Sequence, residues 1–218
     1  MKPEECILFS GAANGAEAAF GAAAERHGVE EVNFTFEGHN DSRTRGVRVL
    51  THEELKQGDV SLTYVSRLMN RTYSDTPLFR KILQTIWHQI NNGQEIYIVG
   101  HILKDLTVKG GTGWGAEFAK LCNKPLFVFD QEADRWHRWT GEAWAPESSP
   151  TITHLHIAGS GTRELKPNGL KAINELFDRS FDKREHIGGD MQLFRVEIDA
   201  GEFGLEFIDR IGYIPFVP

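Results

Sequence analysis

Apolar positions along this chain recur in short runs, and most of these runs lead through a glycine turn into apolar residues at helical spacing. Residues 6–9 are the first run. SGAANGA follows, then an alanine-rich stretch to His27 and Gly28, so the order strand, glycine turn, helix, stop is predicted. Residues 32–36 alternate as a second strand, and the polar segment 39–48, with Arg43, Arg45 and Arg48, reads as a surface loop. Thr51 and Glu54 fit a capping box whose helix Gly58 cuts short. Ser74, Asp75 and Pro77 open a clearer helix: Phe79, Ile82, Leu83, Ile86, Trp87 and Ile90 keep helical spacing until Asn91, Asn92 and Gly93 stop it.

The theme then returns. Residues 95–100 form an apolar strand, KDLTVKGGTGWG turns the chain, and a helix is predicted over about residues 116–121. The unbroken apolar run at 125–129 suits a strand covered on both faces of a parallel sheet. Within RWHRWTGEAW, Trp136, Trp139 and Trp144 flank a Thr140-Gly141 turn, which predicts a hairpin with aromatic cross-strand pairs. Residues 155–158 make another strand, and Gly159 and Gly161 precede a helix over about 166–181. Strands alternating with helices predict an α/β, Rossmann-like, open and mostly parallel sheet flanked by helices, with ligands at the carboxyl ends of its strands. Beyond it, Phe194, Val196 and Ile198, then Phe203, Leu205 and Phe207, alternate around Ala200-Gly201. The expected organisation is a nucleotide-binding domain over 1–185 and a carboxyl-terminal β-hairpin extension over 186–218, packing on the domain or on a second subunit.

Composition narrows the function. At 218 residues, 40% hydrophobic and 25% charged, the chain can bury a core without staples. A net charge of -7 gives no electrostatic reason to track duplex nucleic acid. Cys6 and Cys122 belong to no metal or redox spacing and are expected to be reduced core thiols. His154 and His156 lack a third ligand at diagnostic spacing, so neither a metal nor a resident cofactor is expected. With no signal-like start and no apolar segment approaching about twenty residues, a cytoplasmic protein without membrane contact is expected.

Residues 11–17, GAANGAE, and 111–117, GTGWGAE, repeat one pattern, G-x-x-x-G-A-E, each time between an apolar strand and a helix. Glycines permit close backbone approach, and the free amides and positive dipole end of the following helix favour an anion. Neither turn is a P-loop or the dinucleotide fingerprint, which disfavours ATP hydrolysis and ordinary dinucleotide redox chemistry. Arg71 and Arg163, each beside a turn, are the preferred phosphate arginines; Arg43 and Arg45 are further candidates. Ser10 and Asn14 can contact a ligand, and Trp114 can stack on a base, close the pocket or pack on its helix.

SGAANGAE resembles the SGGxxGAD opening of the SLOG superfamily, the Rossmann-like group that includes the DNA-processing protein DprA and the lonely-guy enzymes. GGTGWGAE, residues 110–117, resembles the lonely-guy motif PGGxGTxxE, with Lys109 in place of its proline and Trp114 in place of its threonine. The opening is also similar to that of molybdenum-cofactor carriers of the same fold. The likeness spans roughly residues 5–130, and IAGSGTREL suits a further strand and turn. It implies that Gly110, Gly111 and Gly113 hold phosphate through their amides, that Glu117 matches the catalytic glutamate, and that the protein forms homo-oligomers. The ligand is then expected to be a nucleotide-like small molecule lying against Ser10, Gly11, Ala12, Asn14 and Gly15 on one side and Gly110, Gly111, Thr112, Gly113 and Trp114 on the other, with Arg163. Four functions stay open: a nucleotide sensor or handler, an N-glycosidic hydrolase of nucleoside monophosphates using Glu117 and Arg71, a molybdenum-cofactor carrier, and a structural partner protein that assembles through its carboxyl-terminal hairpin.

Overall fold

The computed structural model describes residues 1–73 and 76–181; the hairpin expected over 186–218, and the cap residues Ser74 and Asp75, lie outside the described residues. Within them, one eight-stranded sheet has the order β3-β2-β1-β8-β4-β5-β6-β7. The strands are β1 (Ile7–Gly11), β2 (Glu30–Thr35), β3 (Val47–Val49), β4 (Glu95–Gly100), β5 (Leu126–Asp130), β6 (Arg135–Trp139), β7 (Trp144–Glu147) and β8 (His156–Gly161). From β3 to β5 every pairing is parallel; β6 and β7 add an antiparallel edge. The helices are α1 (Ala16–His27), α2 (His52–Lys56), α3 (Asp59–Leu68), α4 (Pro77–Asn92), α5 (Thr112–Leu121) and α6 (Pro167–Phe181). None of them is long and apolar enough to cross a membrane.

The period of two in the central strands divides the core. Tyr97 and Val99 of β4, with Phe129 of β5, join the cluster under α1 and α6, while Ile96, Ile98, Leu126 and Val128 join the one under α3, α4 and α5. The alanines of α1 let it lie close to the sheet, where Phe20 is buried against Phe177 with ring centroids 6.5 Å apart. Gly159 is required there, because a Cβ would stand 2.6 Å from the Phe20 ring. At the other edge, Trp139 pairs with Trp144 across the β6–β7 hairpin, their rings 5.1 Å apart and edge to face.

Two expectations need correction, and one helix, α3, was not anticipated. The polar segment 39–48 is anchored: Arg43 and Arg45 reach the buried carboxylate of Glu31 at 2.7 and 2.6 Å, so neither is a free phosphate arginine. Helix α3 was not legible because Val60, Tyr64 and Leu68 leave apolar residues on its exposed side, which blurs the stripe made by Leu62 and Val65. Cys6 is buried as expected, but Cys122, at the end of α5, is exposed.

Candidate functional site

In open α/β sheets the crevice forms where the chain departs in opposite directions from neighbouring strands. Here β1 leads outward to β2 and β3, β4 leads the other way to β5, and β8 is inserted between them. The carboxyl ends of β1, β8 and β4 therefore stand side by side, and a cavity of about 460 Å³ opens above them. One wall is apolar, with Phe34 of β2 and Phe79, Ile82 and Ile86 from α4. The rest of the lining is Lys109, Gly110 and Gly111 with Thr112 at the start of α5, and Thr162, Arg163, Glu164 and Lys166 after β8; Gly111 adjoins the Phe79 ring. Both glycine turns meet the same space, the first through Ala13 and Glu17 and the second through Gly110 to Thr112.

The second turn is the one that presents donors. Helix α5 starts at Thr112, a full turn earlier than the periodicity predicts, because Gly110 takes φ +73° and reverses the chain just before it. The amides of Gly113 and Trp114 already bond to Gly110 and Gly111, whereas those of Gly111 and Thr112 have no partner among the described residues and face the cavity end of the helix. Gly113 serves packing instead of a ligand: a Cβ there would stand 2.0 Å from the Val108 carbonyl oxygen. Trp114, expected in the loop, lies within the helix and is buried against Tyr73, with ring centroids 5.7 Å apart. Trp114→Ala is accordingly expected to cost ~3–5 kcal/mol of stability in urea unfolding; a change under ~1 kcal/mol would contradict that placement.

The first turn is closed by the protein itself. Gly15, with φ +96°, packs on the backbone of Thr162 and Arg163, and the Ala16 amide donates to the Thr162 carbonyl at 2.9 Å. The Ala12 carbonyl receives the amides of Ser42 and Arg43. Glu17 folds its carboxyl back over Gly11, where Oε2 accepts the Ala13 amide at 3.3 Å and Oε1 accepts Gln89 Nε2 at 3.0 Å and, weakly, Ser160 Oγ at 3.4 Å. The space at this turn where an anion would rest is thus filled by a carboxyl. Burial pushes the Glu17 carboxyl above the usual carboxylate range, and the Gln89 and Ala13 donors, with the more distant charges of His39 and Arg163, offset only part of that.

Charge elsewhere in the cavity is mostly unspent. Lys109, Arg163 and Lys166 form no ion pair among the described residues, while Arg26, Arg43, Arg48 and Arg80 all hold carboxylates. His101, just past β4, points Nδ1 at Asp130 Oδ1, 3.2 Å away, and has Nε2 3.6 Å from Glu132. Burial opposes ionisation of Asp130, but the Glu132 amide, His101 and the amides of Ile102 and Ala133 outweigh it and hold this carboxyl below its usual range. Gln131 fixes the facing loop by accepting the Lys166 amide at 2.7 Å. Among the described residues no three His, Cys, Asp or Glu side chains gather where they could share a metal ion.

Of the residues singled out from the sequence, Gly110, Gly111, Thr112 and Arg163 line the cavity, whereas several others are engaged elsewhere. Glu117 pairs with Lys120 at 2.7 Å, and that ammonium lies 4.0 Å from the Trp139 ring centroid, on the hairpin side of α5. Arg71 donates to Thr107 Oγ1 at 2.6 Å and to the Val108 carbonyl at 3.3 Å, so it braces the approach to the second turn. Ser10 is buried and donates to the Gly159 carbonyl of the neighbouring strand; Asn14 is exposed and does not line the cavity. Glu17, His39, His101, Lys109, Gln131 and Lys166 line it without having been selected. The usable signal for His101, directly after β4, and for Lys109 and Lys166, in the loops that follow β4 and β8, was their place on the carboxyl-end side of a parallel sheet.

No family model and no curated protein sequence matches this chain. Among solved structures it is similar to a protein described as a "putative molybdenum carrier protein" from Syntrophus aciditrophicus, at 15% identity and a TM-score of 0.47, over 82% of this chain and 96% of that one. The fold is Rossmann-like. The strand order and the cavity above β1, β8 and β4 carry that statement within the chain itself.

Proposed function

We propose that the chain binds a phosphate-bearing, nucleotide-like small molecule in this cavity, as a sensor or handler in the manner of the SLOG proteins its glycine motifs resemble. The observation that carries the reading is the meeting of unpaired Lys109, Arg163 and Lys166 with the unpartnered amides of Gly111 and Thr112 in one cavity, beside an apolar wall that includes Phe34 and Phe79. A dianionic group satisfies the first set, and a planar ring suits the second. A volume of about 460 Å³ lies in the range of small-molecule sites. Because Glu117 is held by Lys120 and does not line the cavity, the reading is one of binding, without N-glycosidic cleavage by that residue.

Titration calorimetry of the full chain with adenosine monophosphate, ribose 5-phosphate and adenosine tests it. Both phosphates are expected to bind, with affinity falling as salt rises, and adenosine at least ~10-fold more weakly, as a charge-assisted contact of ~1.5–3 kcal/mol requires. Arg163→Ala is expected to weaken phosphate binding ~10- to 100-fold on the same scale. Equal binding of adenosine and its monophosphate, or no binding of either phosphate, rules the reading out.

A further inference from the structure

Glu17 is chemically out of place for a purely structural carboxyl. It lines the cavity and is 8% exposed, and no cation stands within ion-pair distance of it among the described residues. Its protein neighbours are the Ala13 amide of the first turn, the Gln89 side chain of α4 and the Ser160 hydroxyl of β8, and the first two can only donate through the atoms they turn towards it. The charges that act on it are those of His39 from the loop after β2 and Arg163 from the loop after β8, with Lys109, His101, Lys166, Glu132 and Glu164 elsewhere around the cavity. Gln89 follows Ile82, Thr85 and Ile86 at helical spacing on α4, so the residue that holds Glu17 belongs to the helix face that supplies much of the apolar wall. An uncharged carboxyl in that setting has a proton to give; of its neighbours only the Ser160 hydroxyl can also accept it, and at 3.4 Å that contact is long enough to yield the proton to a ligand.

We propose that Glu17 is the specificity-determining residue of the cavity, giving a hydrogen bond from its uncharged carboxyl to an acceptor nitrogen on the ring of the nucleotide-like ligand. This rests on the phosphate-site reading above and adds to it the chemistry of the ligand's other end: a nitrogen heterocycle with an exposed ring acceptor. Recognition is then linked to a proton. The acid form is complete at low pH, so selectivity for the ring is greatest there, and it declines as pH rises through the pKa that burial has lifted.

The ratio of affinities for adenosine monophosphate and ribose 5-phosphate isolates this bond, because the phosphate and the cations that hold it are common to both. For the wild-type chain the ratio is expected to fall roughly tenfold as pH rises through the raised titration of Glu17, the size of one lost hydrogen bond. Glu17→Gln supplies an amide donor at every pH, so its ratio is expected to stay high and flat, while Glu17→Ala is expected to lower it roughly tenfold at every pH, leaving the selectivity that the ring's contact with the apolar wall supplies. A wild-type ratio that does not change with pH, or a Glu17→Gln ratio that falls in parallel with it, overturns the proposal even though both phosphates bind. If neither phosphate binds at any pH, the reading of the cavity itself fails and this inference falls with it.

Discussion

Gly111→Asp is expected to leave the protein folded and to weaken its binding of adenosine monophosphate by at least ~100-fold, or ~3 kcal/mol. Gly111 has φ -61° and ψ -35°, which any residue adopts, and a Cβ there meets nothing nearer than the Phe79 ring at 3.5 Å. The side chain is therefore accommodated, and a carboxylate at the first position before a helix complements the helix dipole. In the cavity, however, it sets a negative charge beside the two unpartnered amides and competes for Lys109, Arg163 and Lys166. Gly111→Ala, with the same Cβ and no charge, serves as the control and should bind within about threefold of wild type. A Gly111→Asp protein with unchanged affinity and an unchanged unfolding midpoint would mean that no anion occupies this helix end.

Two residues further on, the same class of substitution has the opposite consequence. Gly113→Ala is expected to cost ~2–3 kcal/mol of stability, the scale of an overpacked core, with the loss read from urea unfolding. Its Cβ would stand 2.0 Å from the Val108 carbonyl oxygen and 3.0 Å from Arg71 Nη1, and the nearer of these is backbone that Arg71 itself braces. Either α5 moves away from the 101–108 segment or that segment moves, and both displace the Gly111 and Thr112 amides. Binding is thus expected to weaken as well, through geometry. An unfolding midpoint equal to wild type would show that this contact yields easily and that Gly113 is not needed for packing.

The contrast between Gly111 and Gly113 marks how far a glycine pattern can be read. The repeated G-x-x-x-G-A-E predicts a turn between strand and helix at both sites; the first copy forms one before α1, whereas the second lies inside α5 from Thr112 onward and leaves only Gly110 and Gly111 to the turn. Which glycine faces a ligand and which faces a carbonyl depends on the first residue of the helix, and that is set by the positive φ of Gly110. The two copies also differ in what their glutamates do. Glu17 is the second residue of α1 and reaches back over its own turn, whereas Glu117 is the sixth residue of α5 and emerges beside Lys120 and the tryptophan hairpin. Four residues make about one helical turn, so Glu117 stands roughly 6 Å further from the start of its helix and cannot fold back over its own turn as Glu17 does.

What the amino-acid order determined unaided is local: the β1–α1 unit, α4 from its proline to its glycine, the continuous apolar strands of a parallel sheet, and the Trp139–Trp144 hairpin. Each rests on contacts within a few residues, so periodicity and turn chemistry suffice. Only the tertiary structure decided that β8 enters between β1 and β4, bringing Arg163 and Lys166 from late in the chain to the side of Lys109. It also decided that Arg71 and Glu117 are spent on internal partners and that Glu17 is buried without a cation. Pairings between segments that lie tens of residues apart have no periodic trace, because they depend on strand order and helical phase, which become defined only when the sheet assembles.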